Sequence, residues 1–181
     1  MAEKVLFQTT LTQVAKTDLE GLGTLRREGN EVYRWVKNAS AYTALVAGGA
    51  CVKYNLYPAT ASEIMKRVYT PDNSITATCY QTLPAGVPVT GIGISGSGTG
   101  CFGWVKVQGV EAVKVTAGGT AVTPGQMLIS TSAGGWVPIP QALAPYTGVA
   151  MPALGAVLLQ ACSSVGPLTA QTCIVRIRCL D

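Results

Sequence analysis

Apolar and β-branched runs of four to eight residues recur along the chain between closely spaced glycines and prolines, a pattern that predicts strands joined by turns. Glu31-Val-Tyr-Arg-Trp-Val-Lys37 alternates, with Tyr33 and Trp35 on one face and Val32, Arg34 and Val36 on the other. Ala50 to Tyr54 predicts a second strand after the Gly48-Gly49 break. Further strands are expected over Ile75 to Cys79, Val87 to Ile94, Phe102 to Gly109 and Glu111 to Val115, the last two separated by a turn or bulge at Gly109. Leu83 to Gly86 predicts a turn, and Gly96 to Gly100 a glycine-rich loop. Val122-Thr-Pro-Gly125 has proline and glycine where a type II turn needs them. Gln126 to Ser130 and Trp136 to Ile139 then predict a hairpin. Val149 to Gln160 and Cys173 to Cys179 complete the set. In the last run Ile174, Arg176 and Arg178 share one face, and Val175 and Ile177 the other.

Two stretches break this pattern. Thr60 to Tyr69 predicts the one helix, because Thr60-Ala-Ser-Glu63 fits a capping box, Ile64 and Val68 share a face, and Pro71 stops continuation. Residues 1–28 have few alternating runs and predict an extended N-terminal arm that orders on a neighbour. The expected fold is therefore all-β: a small antiparallel β-barrel or sandwich with one short helix, formed by a single domain over 29–181, preceded by the arm.

Charge changes this picture. Only 12% of the 181 residues are charged, against about 25% in a typical soluble domain. Sixteen of the 22 charged residues lie in the first 72 positions, and between Asn73 and Val175 the only ones are Lys106, Glu111 and Lys114. A body so poor in charge predicts extensive core and subunit contact. The net charge of +4 is spread over isolated bases and pairs, without the basic stripe interleaved with aromatics of a nucleic-acid module, so no nucleic-acid partner is expected.

Candidate chemistry is thin. Histidine is absent, which excludes imidazole as general base, proton shuttle or metal ligand, and with it Ser-His-Asp and Cys-His catalysis. Gly91-Ile-Gly93-Ile-Ser-Gly96 matches a dinucleotide fingerprint in letters, but Ser97-Gly-Thr-Gly100 follows where a helix must open, so a hairpin loop is expected. The carboxylates concentrate outside the β body, which disfavours a glycosidase-type pair. The six cysteines contain no CxxC and predict buried free thiols, with bridging of Cys173 or Cys179 to Cys162 or to another chain left open. No catalytic residue, cofactor, metal or small-molecule substrate is expected. The N-terminus lacks a signal-peptide pattern, and Ala142 to Cys162, though uncharged, is broken by Pro145, Gly148, Pro152 and Gly155, so cytoplasmic synthesis and no membrane partner are expected. Trp35, Trp104 and Trp136 lie inside strand runs, as core or subunit-interface anchors. With Leu22, Leu25, Arg26 and Tyr33 they form the set of interface candidates.

Gly103-Trp-Val-Lys-Val-Gln-Gly109, Val113-Lys-Val115, Ala121-Val-Thr-Pro-Gly125-Gln-Met-Leu-Ile129, Ala133-Gly-Gly135, Tyr146-Thr-Gly-Val-Ala150 and Ile174-Val-Arg-Ile177 follow an order of elements that resembles small virion proteins of tailed bacteriophages, the capsid decoration or cement proteins. Gly23-Thr-Leu-Arg26, Tyr33-Arg-Trp-Val36 and the stretch from Ala44 to Val52 are similar to the N-terminal part of the same group. The cysteines and the Tyr57 to Tyr69 insert depart from it. The resemblance implies a non-enzymatic structural protein on the outer surface of a virion capsid, contacting the major capsid protein and bridging its subunits, often as a homotrimer. A bacteriophage tail, baseplate or fibre-base component is the alternative, and an enzyme or carbohydrate-binding domain built from Asp, Glu, Tyr and Trp is a third reading.

Overall fold

The computed structural model describes residues 6–40, 43–48, 52–54, 67–69, 84–94, 96, 98–116, 122–130, 136–138, 156–159 and 170–179. Its strands are β1 (Leu25–Glu28), β2 (Glu31–Asn38), β3 (Val52–Tyr54), β4 (Arg67–Tyr69), β5 (Pro84–Pro88), β6 (Phe102–Thr116), β7 (Met127–Ser130), β8 (Trp136–Pro138), β9 (Ala156–Leu158) and β10 (Ala170–Arg178). The fold is all-β and predominantly antiparallel, with short parallel contacts only between β2 and β4 and between β6 and β8. It is sandwich-like and not closed into a single barrel, because the longest strand, β6, serves two groups of partners.

The N-terminal half of β6 pairs with β2 on one edge and β5 on the other, and β3 and β4 connect those two strands. Its C-terminal half pairs along its length with β10 and touches β8 at Val115, while β9 and β7 link β10 to β8. Each half surrounds its own core. Val36, Leu45, Val52, Tyr54, Ala85, Ile92 and Val105 fill the first. The second is built around Val113, Val115, Leu128, Trp136, Val175 and Ile177.

Gly109 was expected to separate two strands, yet β6 runs through it. The strand β10 crosses this point in register, with Ile177 opposite Gly109, so the ladder holds while a φ of 137° bends the chain between its two partner sets. The turn expected at Leu83 to Gly86 is likewise corrected, since Pro84–Pro88 forms β5. Proline is tolerated there because the β3–β5 ladder is irregular at that point. Of the helix expected over Thr60 to Tyr69, Arg67–Tyr69 is strand β4, and 60–66 lie outside the described residues. The strand expected over Ile75 to Cys79 lies outside them too. Of Ala142 to Cys162, only 156–159 are described, and they include β9. Among the described residues no helix is long and apolar enough to cross a membrane.

The N-terminal segment is extended but does not reach away from the body. Phe7, Leu11, Leu19 and Leu22 pack on a third buried cluster of Ala15, Tyr33, Trp35, Cys101, Phe102 and Trp104. Ala15 bridges Phe102 in antiparallel fashion, and Leu25–Glu28 continues as β1 along β2. The reason is the alternation of β2 itself. Both of its faces are buried, and the segment before β1 covers the one that holds Tyr33 and Trp35.

Candidate interaction surface

Most large apolar side chains are inside, which makes the exceptions informative. Among the described residues eight are exposed: Leu6, Leu25, Val46, Val110, Met127, Val157, Leu159 and Ile174. The last five fall on one face, the outer side of β6, β10, β9 and β7. Register places them. Arg176 lies opposite Val110 on one side and Val157 on the other, and Val157 opposite Met127, so one row crosses four strands. In the next row Ile174 is opposite Ala112, and the Leu159 N–H donates to the Ile174 carbonyl at 2.9 Å. Lys114 with Thr172, and Gln108 with Arg178, end the face. With strands about 4.8 Å apart and same-face residues about 7 Å apart, the patch measures roughly 15 by 20 Å. Its inward neighbours Val113, Cys173, Val175 and Ile177 are buried. Period-2 alternation thus puts an apolar centre and three exposed cations on one sheet surface, where Lys114, Arg176 and Arg178 make no ion pair with any described residue.

The interface candidates lie elsewhere. Trp35, Trp104 and Trp136 are 0% exposed, and Tyr33 is buried, so these four are core residues and cannot anchor a subunit contact. Trp35 stacks on Phe102 and meets Trp104 edge-on, while its Nε1–H donates to Asp18 at 2.9 Å. Trp104 Nε1–H donates to Thr9 Oγ1 at 2.9 Å. Leu22 is half-buried against the same cluster. Arg26 places its guanidinium 5.0 Å from the Phe7 ring and 5.9 Å from that of Trp104, and donates to the Thr9 carbonyl. Of the seven, Leu25 alone is exposed. The structure gathers five of them into, or around, the core under the N-terminal segment, while Trp136 stands apart in the second core and Leu25 on β1. Alternation did flag Ile174, Arg176 and Arg178 as one face. It could not show that β9 and β7 extend that face with Val157, Leu159 and Met127.

Two described cations are buried: Arg34, which donates to the Tyr54 hydroxyl, and Lys106, which belongs to a knot where β6 changes partners. Lys106 Nζ lies 2.9 Å from Glu31 Oε1 and 2.7 Å from Glu111 Oε2, donates to the Val110 carbonyl, and sits over the Tyr33 ring. Tyr33 donates its hydroxyl to Glu31 Oε2. The Tyr33 and Lys106 hydrogen bonds hold the Glu31 carboxyl below its usual range. Burial works against the Lys106 charge, but the Glu111 and Glu31 hydrogen bonds outweigh it and raise its pKa. Burial, aided by Glu31, pushes the Tyr33 phenol up to about 12 from 10.0. Both raised groups contribute stability that is complete below their unfolded values and lost as pH rises, whereas the Glu31 contribution is lost as pH falls below about 4.5. Urea unfolding across pH 9 to 12.5 is therefore expected to show a decline above pH 10, with on the order of 2 kcal/mol due to Tyr33. Tyr33→Phe should remove that part and leave the Lys106 part. An unchanged decline in the variant would exclude Tyr33 as its source.

The remaining sequence candidates are structural. Gly91 to Gly96 leads into no helix among the described residues: Ile92 bridges Leu45, Gly93 N–H donates to the Gly100 carbonyl, and β6 follows. Cys101 and Cys179 are buried and outside any disulfide, whereas Cys173 is disulfide-bonded, which departs from the buried-thiol expectation in the way the sequence left open for it. Cys51, Cys79 and Cys162 lie outside the described residues. Among the described residues no three Cys, Asp or Glu side chains converge as a metal site would require.

What fold and surface define is an all-β module whose described residues include an exposed face that is apolar and basic. No protein-family model and no curated protein matches the chain. Among solved structures it is similar to the head fiber gp8.5 N base of bacteriophage phi29, over 83% of this chain and 98% of that one, with 16% identity and a TM-score of 0.42. A likeness that weak carries no argument about role.

Proposed function

We propose that this chain is a structural bacteriophage protein that binds the outer surface of the capsid and stabilises the shell by bridging neighbouring subunits. The observation that carries this reading is the single face on which five of the eight exposed large apolar side chains meet three exposed cations. A patch of this size is within the range of the largest apolar patch on a typical monomer, and such patches often serve as interaction sites. The order of elements that resembles decoration proteins supplies the kind of partner. The mechanism is burial: apolar side chains and Arg heads leave water against adjacent shell subunits, and no bond chemistry is involved. A homotrimer is part of the proposal, because one protomer alone offers a patch well below the roughly 800 Å² per partner of a standard interface.

The test is imaging of particles made with and without the protein, together with light-scattering mass of the purified chain. Difference density on the shell exterior and a mass of three chains are expected. Density confined to the tail, baseplate or a fibre base would replace the shell reading with that placement, and a stable monomer would remove the trimer.

A further inference from the structure

The proposed contact leaves open what the face meets, and the distribution of charge narrows it. On this face Lys114 and the Arg176–Arg178 pair lie on either side of the row formed by Ala112, Ile174 and Leu159, and no carboxylate occupies an outward position of the described face. A second copy of the chain is a poor match. Packed face to face about a two-fold axis, it would set cations against cations. Packed in any other way, it would have to offer carboxylates, and among the described residues all five are engaged within the chain, the other four of the nine lying outside them. Asp18 accepts from Gly21 N–H, Leu22 N–H and the Trp35 indole, and Glu20 from Thr9. Glu28 pairs with Arg26, and Glu31 and Glu111 with Lys106.

We propose that the outer face of β6, β10, β9 and β7 docks a surface of a different protein, one that presents carboxylates around an apolar centre. This rests on the reading of the chain as a contact protein, and it names the chemistry of the surface contacted. The cations and the apolar row act together. Arg176, opposite both Val110 and Val157, is the one cation whose neighbours across the strands on either side are apolar, so its head loses water when they are covered. Any contacts that build a homo-oligomer then lie elsewhere on the molecule.

The experiment uses the full chain and three variants, Arg176→Glu, Ile174→Asp and Thr123→Ala. The first two change outward side chains of the face, and the third an exposed turn away from it. Folding is checked by near-ultraviolet circular dichroism. Each protein is tested for mass by light scattering, for co-sedimentation with DNA-free expanded phage shells, and for binding to a labelled peptide of alternating Asp and Leu, an alternating Lys and Leu peptide, and a 20-base-pair DNA duplex. Wild type and Thr123→Ala are expected to bind the shells and the Asp–Leu peptide and to ignore the Lys–Leu peptide. Arg176→Glu and Ile174→Asp should each weaken both interactions at least tenfold with no change in mass. Dependence on both residues in the peptide assay, with no shell binding by any protein, would support this proposal while defeating the capsid reading. A fall in mass in either variant would overturn it in favour of self-association. DNA binding that falls in Arg176→Glu but not in Ile174→Asp, with a log–log salt slope near about −3 for three phosphates, would overturn it in favour of nucleic acid. So would shell and peptide binding that neither variant changes.

Discussion

Replacing Trp35 with alanine is expected to lower the unfolding free energy by about 3–5 kcal/mol. The side chain is fully buried on β2, stacked on Phe102 and edge-on to Trp104 at a centroid distance of 5.2 Å. Alanine leaves a cavity that the neighbouring β ladders cannot collapse to fill, and it strands Asp18, which accepts the indole N–H while capping Gly21 and Leu22. The loss therefore extends to the N-terminal segment that closes this core. Urea titration of wild type, Trp35→Ala and Trp35→Phe measures it, with the phenylalanine variant falling between the other two because it keeps the ring volume and lacks the donor. An interface role gives the opposite result: near-normal stability of the single chain, with a change in mass. A loss under 1 kcal/mol with a lower oligomeric mass would return Trp35 to the surface.

Gly86→Ala is expected to cost a further large fraction of the stability, about 3–5 kcal/mol. Gly86 has a φ of 128°, and a Cβ there would lie 2.1 Å from the Lys106 carbonyl oxygen and 2.9 Å from Val105 Cγ1. The obstacle is backbone in a paired strand, so the new methyl can be accommodated only by moving β5 away from β6. That movement disturbs Lys106 from its hydrogen-bonded knot as well. Gly125→Ala is the control, because its φ of 88° carries the left-handed penalty while nothing stands within 4 Å of the added atom. A cost of about 1 kcal/mol is expected there. Equal losses in the two variants would mean that the β5–β6 approach is looser than described.

Strand identity was legible where alternation is long. The runs at Glu31 to Lys37 and Cys173 to Cys179 became β2 and β10, and the Gln126 to Ser130 and Trp136 to Ile139 hairpin became β7 and β8. Glycine and proline were misleading, because they signal a permissive backbone whether the chain turns or approaches a neighbour. At Gly86 and Gly109 the permissiveness serves close approach and bending inside a ladder, and the expected turns are strands. The charge-poor body was read as core and subunit contact together. In the described part of that body most of it is core, and two of its three charged residues, Lys106 and Glu111, pair with each other.

The candidate site shows the limit most clearly. Alternation specifies which side chains share a face, since successive residues of a strand point to opposite sides. It carries no information on which face another segment will cover. Both faces of β2 are buried, and residues from 6 to 24 cover the one that holds Tyr33 and Trp35. One face of β10 mixes Ile174 with Arg176 and Arg178, and it remains open. The sequence by itself determined an all-β chain, the pairing of side chains into faces, and the absence of imidazole chemistry. Tertiary structure alone decided that the tryptophans are core and that an exposed apolar and basic face lies on β6, β10, β9 and β7, because burial depends on segments far apart in the chain whose meeting no local pattern encodes.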